Sequence, residues 1–166
     1  MSETNTRLTS NDYGHKLPDH WILEQAEITG HFKIMHDAYV NRVVEIISNT
    51  GARTVIEVGC GDGWNCNKQV QAGLNVVGID WSRNGSAYAN MLVPGAQFYC
   101  GDIRDTEFLE RFPEPFDAVV FIEVIEHIPP EDCVNALRNI SASLKNGGTL
   151  VLTTPSINSP NTNPQH

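Results

Sequence analysis

The sequence predicts an α/β fold in which βα units build a mostly parallel sheet. Three observations carry this. From Arg53 onward, short β-rich runs closed by a small or acidic residue alternate with more polar, helix-compatible segments. The first run, Val55-Ile56-Glu57-Val58, empties into three alternating glycines, Gly59, Gly61 and Gly63. All five runs read as buried strands.

Residues 1–20 form a polar lead-in containing Gly14 and Pro18, residues 21–155 form the domain, and residues 156–166 form a turn-rich tail. Trp21 to Glu27 is a short candidate helix. Phe32, Met35, Tyr39, Val43 and Ile46 recur at steps of three and four, which places them on one face of a helix ending near Asn49-Thr50-Gly51. The five strands are Thr54 to Val58, Asn75 to Ile79, Gln97 to Cys100, Asp117 to Ile122 and Thr149 to Thr153. Between the first four lie helices at about Cys66 to Ala72 and Gly85 to Met91, and a short turn near Glu107 to Arg111. Before the fifth, Pro129-Pro130-Glu131 opens a helix whose face is Cys133, Leu137, Ile140 and Leu144, and Gly147-Gly148 ends it.

The chain has 166 residues, 40% of them hydrophobic, and a formal charge of −9. That is the size and composition of one globular domain. No basic stripe is present to neutralise phosphates, which disfavours a nucleic acid or an anionic membrane as partner. The longest apolar run, Ala118 to Ile122, is far short of the ~20 residues that span a bilayer. Ser2 to Asp12 has neither a basic nor an apolar leader segment, so the expected location is cytoplasmic. Cys60, Cys66, Cys100 and Cys133 include no C-x-x-C pair and read as free thiols. His15, His20, His31 and His36 read as surface or partly buried side chains.

The glycine run is not the dinucleotide fingerprint G-x-G-x-x-G, because Trp64 stands where the pattern would continue and the third glycine comes one residue early. Glu57 instead places a carboxylate at the carboxyl end of the first strand, where an open α/β sheet binds its ligand. A negative group there suits a cationic ligand and repels pyrophosphate. Asp80 closes the second strand at the spacing of a ribose-binding acid. Cys100-Gly101-Asp102-Ile103 closes the third with a carboxylate able to accept from an amine and an apolar side chain able to lie against a ring.

These stretches, together with Phe116 to His127 and Leu144 to Pro155, resemble the class I S-adenosylmethionine-dependent methyltransferases, in the family's order and over about residues 50–155. The resemblance implies a Rossmann-like three-layer sandwich and S-adenosylmethionine as cofactor. By it, Glu57 and the backbone of Gly59, Cys60, Gly61 and Gly63 would hold the methionine part. Asp80 would take the ribose hydroxyls, Trp81 would lie beside the adenine, Asp102 would accept from the adenine amine and Ile103 would pack on the ring. Glu123, after the fourth strand, would complete the cofactor site. The cofactor carries a sulfonium and an ammonium and no phosphate, in keeping with the acidic strand ends.

The expected reaction is transfer of a methyl group to a small-molecule acceptor, at oxygen, with a sugar or secondary metabolite as substrate class. His127 and Glu126 are the candidates for removing the acceptor's proton. The resemblance leaves as an alternative an RNA 3′-end-type metal-dependent methyltransferase, which would hold a divalent metal. Glu123, Glu126 and His127 resemble the Glu-x-x-Glu-His of the small-RNA 3′-end and ubiquinone-pathway methyltransferases, and His166, in a sequence resembling the Asn-Pro-x-His of sugar methyltransferases, would be the fourth ligand. A cofactor-binding domain without activity is the alternative to an enzyme. Trp21 and the lead-in are candidates for a lid over the acceptor pocket.

The resemblance further implies a seven-stranded sheet ending in a hairpin. The fifth strand ends near Thr153, so the expectation is an N-terminal piece of a longer enzyme. The other expectation is a five-stranded variant whose exposed fifth strand pairs with a second copy.

Overall fold

A computed structural model describes residues 16–25 and 31–156. The early lead-in, His15, most of the tail and His166 lie outside the described residues, as do the side chains of His31, Phe32 and Met35. In chain order the elements are α1 (Asp19–Gln25), α2 (His31–Asn49), β1 (Thr54–Val58), α3 (Trp64–Gln71), β2 (Asn75–Asp80), α4 (Arg83–Leu92), β3 (Gln97–Cys100), α5 (Thr106–Leu109), β4 (Phe116–Ile122), a 3-10 turn (Ile125–His127), α6 (Pro130–Ala142) and β5 (Leu144–Thr153).

The five strands form one all-parallel sheet in the order β3-β2-β1-β4-β5. The chain winds outward from β1 to β3, then crosses back to lay β4 on β1's other side. The crevice between β1 and β4 is thus the point where strand order reverses, the ligand-binding position of open α/β sheets. Alternation along the strands divides the core into two layers. Val55, Val76, Phe98, Ala118 and Val120 face Val43 and Ile47 of α2, Cys66 of α3 and Ala89 of α4. Ile56, Val58, Ile79, Val119 and Phe121 face Ala136 and Ile140 of α6. This is the expected three-layer sandwich.

Four expectations change. The strands are not all buried: β1 and β4 are, but β5 hides only Val151, and β3 only Phe98, because they are the sheet's outer strands. The buried stripe of α6 is Ala136, Asn139 and Ile140, with Leu137 exposed, and Leu144 belongs to β5 rather than to the helix. β5 opens at Leu144, pairs with Phe116, and then slips register before Thr149 meets Ala118. Gly147, at φ 77°, lies inside that slip instead of ending the helix. In α2 the fully buried positions among the described residues are Val40, Val43 and Ile47. Val43 lies on the expected face and Ile46 packs partly buried against the same core, while Val40 and Ile47 lie one residue round from it.

Candidate functional site

The site grows from the end of β1. Gly59, Gly61 and Gly63 all have positive φ, between 53° and 81°, a backbone region that glycine enters without steric cost. A Cβ on Gly59 would lie 2.2 Å from Val124 Cγ2, so the loop after β4 packs directly onto the glycine loop. Asp80, at the end of β2, fixes the turn: its carboxylate accepts from Gly61 N and from Ser82 N, each at 2.8 Å. A carboxylate has about four lone-pair positions, so Asp80 can accept from several partners at once. Trp81 follows with 40% of its surface exposed, a face on which a ring can lie.

Glu57 is buried beneath this loop, not presented at its surface. It accepts from the Gln69 side-chain amide and, at 3.3 Å, from the Cys66 thiol. Burial pushes its carboxyl up to about 7, against the hydrogen bonds from Cys66, Gln69 and Asn65. Asn65 Oδ1 and Gln69 Oε1 are buried acceptors with no hydrogen-bond partner. A carboxylate beside two such acceptors, all on or facing α3, is a donor-hungry cluster that fits a cationic group such as an ammonium. Cys60 is buried and packs its sulfur against Gly78, so its side chain serves the core.

Asp102 and Ile103 are more committed than the sequence suggests. Asp102 accepts from Arg104 Nε and Nη2, and Arg104 reaches on to Asp132 of α6 at 2.9 Å. Burial raises the Asp102 carboxyl, but the Arg104 contacts outweigh it and hold the group below its ordinary value. Any adenine amine has to share this carboxylate with Arg104. Ile103 is buried in the α6-side core, leaving little side chain for a ring.

After β4, Glu123 is the one non-glycine residue with positive φ among the described residues, at 53°. Its carboxylate accepts from Thr153 Oγ1 at 3.0 Å, and its N–H donates to Thr153 O at 3.1 Å. The Thr153 hydroxyl in turn accepts from Tyr39 of α2. Glu126 accepts from Thr154 Oγ1 at 3.4 Å, and His127 is exposed on the 3-10 turn. Among the described residues, no three histidine, cysteine, aspartate or glutamate side chains are grouped to hold a metal ion. His166, the expected fourth ligand, lies outside them.

The residues that sequence reasoning missed come from α1 and α2. Asp62, between two of the loop glycines, turns inward and is 2% exposed. Its carboxylate takes the His20 backbone N–H at 3.0 Å and His20 Nδ1 at 3.1 Å, while its carbonyl accepts from Trp21 Nε1 at 3.0 Å. Trp21 also meets Trp64 edge-on at 5.1 Å. The His20 ring stacks on His36, whose pKa burial lowers. His20 itself is raised, chiefly by the hydrogen bond to Asp62. For Asp62 burial is the largest influence and raises it, yet His20 more than offsets this and leaves it lowered. His20 and His36, partly buried as the sequence reading allowed, thus form a docking contact that holds α1 on the glycine loop. The sequence offered two signals for this contact: the aromatic helix at Trp21 and Asp62, a charged residue inside a glycine run.

A family model described as a methyltransferase domain matches residues 29–165. A ubiquinone biosynthesis O-methyltransferase of Dechloromonas aromatica is 34% identical over 129 residues, covering 74% of this chain and 54% of that protein. One from Aeromonas salmonicida is 25% identical over 158 residues, covering 92% of the chain and 64% of the relative. The chain therefore spans about half to two thirds of the length of these relatives. Among solved structures, an N-methyltransferase of Bradyrhizobium japonicum WM9 in complex with S-adenosyl-L-homocysteine superposes with a TM-score of 0.67 at 20% identity, covering 91% of this chain and 72% of that one. An amino pentose methyltransferase of Micromonospora echinaspora gives 0.63 at 23% identity, covering 78% and 59%.

Proposed function

The chain belongs to the methyltransferase-domain family, and on that premise we propose that it binds S-adenosylmethionine and transfers the methyl group to a hydroxyl oxygen of a small organic acceptor. The observation that carries this is the left-handed glycine loop clamped by Asp80 beside the β1/β4 crevice. Glycine lets the cofactor approach the backbone, and the Asp80 carboxylate can accept from the ribose. The buried, unpartnered carbonyl oxygens of Asn65 and Gln69 beside Glu57 are acceptors that an ammonium could satisfy. Oxygen as the acceptor atom is supported by the names of the sequence relatives.

When bound, the cofactor supplies a methyl group on a positively charged sulfur, which leaves as a neutral thioether. The chain's own contribution is alignment and exclusion of water. The glycine loop fixes one end of the donor, α1 covers that loop, and the residues after β4 face the acceptor side. Glu126 and His127, near the crevice mouth, are the groups that would take up the acceptor's proton.

The test is methyl transfer from labelled S-adenosylmethionine to catechol, 4-hydroxybenzoate, glucose and glucosamine, with S-adenosylhomocysteine binding measured by calorimetry. Labelled O-methyl product supports the reading, and product from glucosamine at nitrogen moves the acceptor atom. Binding without transfer to any of the four makes the chain a cofactor-binding domain only. Absence of binding overturns the proposal.

A further inference from the structure

The loop after β4 holds a backbone conformation that local sequence does not favour. Glu123 is held at φ 53°, a conformation that costs any side chain with a Cβ and persists only where its surroundings enforce it. Two things enforce it here. Its N–H is tied to Thr153 O, and Val124, the next residue, is wedged against Gly59. The result sets the exposed Glu123 carboxylate at the seam between the glycine loop and the end of β5.

Hydrogen-bond polarity then follows from chemistry. Thr153 Oγ1 donates its one proton to Glu123 Oε1, so in the bond between the two hydroxyls Tyr39 donates to Thr153 Oγ1. Both hydroxyl protons are spent inside the chain of bonds. What the network offers outward is acceptor capacity alone, on a negative group.

We propose that Thr153 and Tyr39 are positioning residues for Glu123, whose carboxylate receives the O–H or N–H of the methyl acceptor and so selects acceptors that carry a hydrogen-bond donor at the reacting atom. This rests on the methyltransferase reading above. A carboxylate or an ether at that position would leave the Glu123 carboxylate opposed or unpaired, a cost that disfavours such acceptors. The pairing joins α2 to the ends of β4 and β5, three elements distant in sequence, so the orientation of Glu123 depends on the whole layer being assembled.

The experiment compares the wild type with Thr153→Val, Thr153→Ser and Tyr39→Phe. The readouts are kcat and KM for the hydroxylated acceptor that gives product, S-adenosylhomocysteine affinity, and thermal midpoint. Thr153→Val is expected to lower kcat/KM about 10- to 100-fold, the factor for a lost hydrogen bond to a charged group, with cofactor affinity and midpoint close to wild type. Thr153→Ser keeps the hydroxyl and should retain most of the rate. Tyr39→Phe removes only the distal donor and should lose a smaller factor while folding normally. Transfer by Thr153→Val at the wild-type rate overturns the inference. So does a loss that falls equally on cofactor affinity, or a Thr153→Ser variant as impaired as the valine. A wild type that binds S-adenosylhomocysteine but methylates none of the acceptors overturns the parent reading as well, so the two failures are told apart.

Discussion

Glu57 is where the sequence and its surroundings pull in different directions. The side chain was legible as the acid at the end of β1, but its partners were not. Gln69 and Cys66 reach it from α3, one and two turns beyond the glycine loop, and only the folded helix turns them inward. Because burial lifts its carboxyl to about 7, from an ordinary value near 4.5, the folded protein holds this proton more tightly than the unfolded chain does. The sign follows directly. The contribution to stability is complete below the ordinary value and is lost as pH rises through about 7. Glu57→Gln cannot titrate, so the stability difference between wild type and variant should shift against the wild type between about pH 5 and pH 8. Urea unfolding at a series of pH values checks this, and a difference independent of pH would show that Glu57 is charged throughout. Glycine placement and Asp80 were fully legible at this scale, because a positive φ and a strand-ending acid leave local signatures. The Asp102–Arg104 pair was not, since an acid two residues before an arginine is common in loops.

At the scale of elements, the strands of the sheet were readable to within a residue for β1 to β4, and both outer strands were misjudged for the same reason. A short apolar run does not reveal whether a neighbour covers it, and β5 leaves Leu150 and Leu152 more than a third exposed. The α1 contact was legible only as an aromatic helix near the N-terminus. Its hold on the loop is electrostatic as well as apolar, so it should respond to pH. The raised His20 contributes fully below its ordinary value and is lost as pH rises through its folded value. The lowered Asp62 contributes above its ordinary value and is lost as pH falls through its folded one. α1 is therefore docked most firmly in the window between them. Asp62→Asn keeps the shape but removes the charge, at a cost of about 1–3 kcal/mol to the docked state. Hydrogen exchange over residues 19–25 should quicken in this variant, while exchange in β1 and β4 stays slow. Equal quickening in the strands would mean that Asp62 supports the whole core.

The whole molecule inherits a constraint from its strand order. β1 meets β2 across a short connection, but its pairing with β4 joins residues 63 apart, as the Thr54–Asp117 bonds at the base of the two strands show. Closing a loop three times longer costs only about 1 kcal/mol more in chain entropy. Contacts that distant in sequence nevertheless form late, because their reward comes only after the intervening units have ordered. During synthesis, the glycine loop and Asp80 can come together long before the other wall of the crevice has left the ribosome. A ligand held by both walls has nothing to grip in the folding transition state. Saturating S-adenosylhomocysteine should therefore slow unfolding and leave the refolding rate unchanged, which stopped-flow chevrons with and without the ligand would reveal. Slowed unfolding with unchanged refolding would place ligand capture after folding rather than within it: ligand supply would then govern how long the native chain survives, not whether it folds.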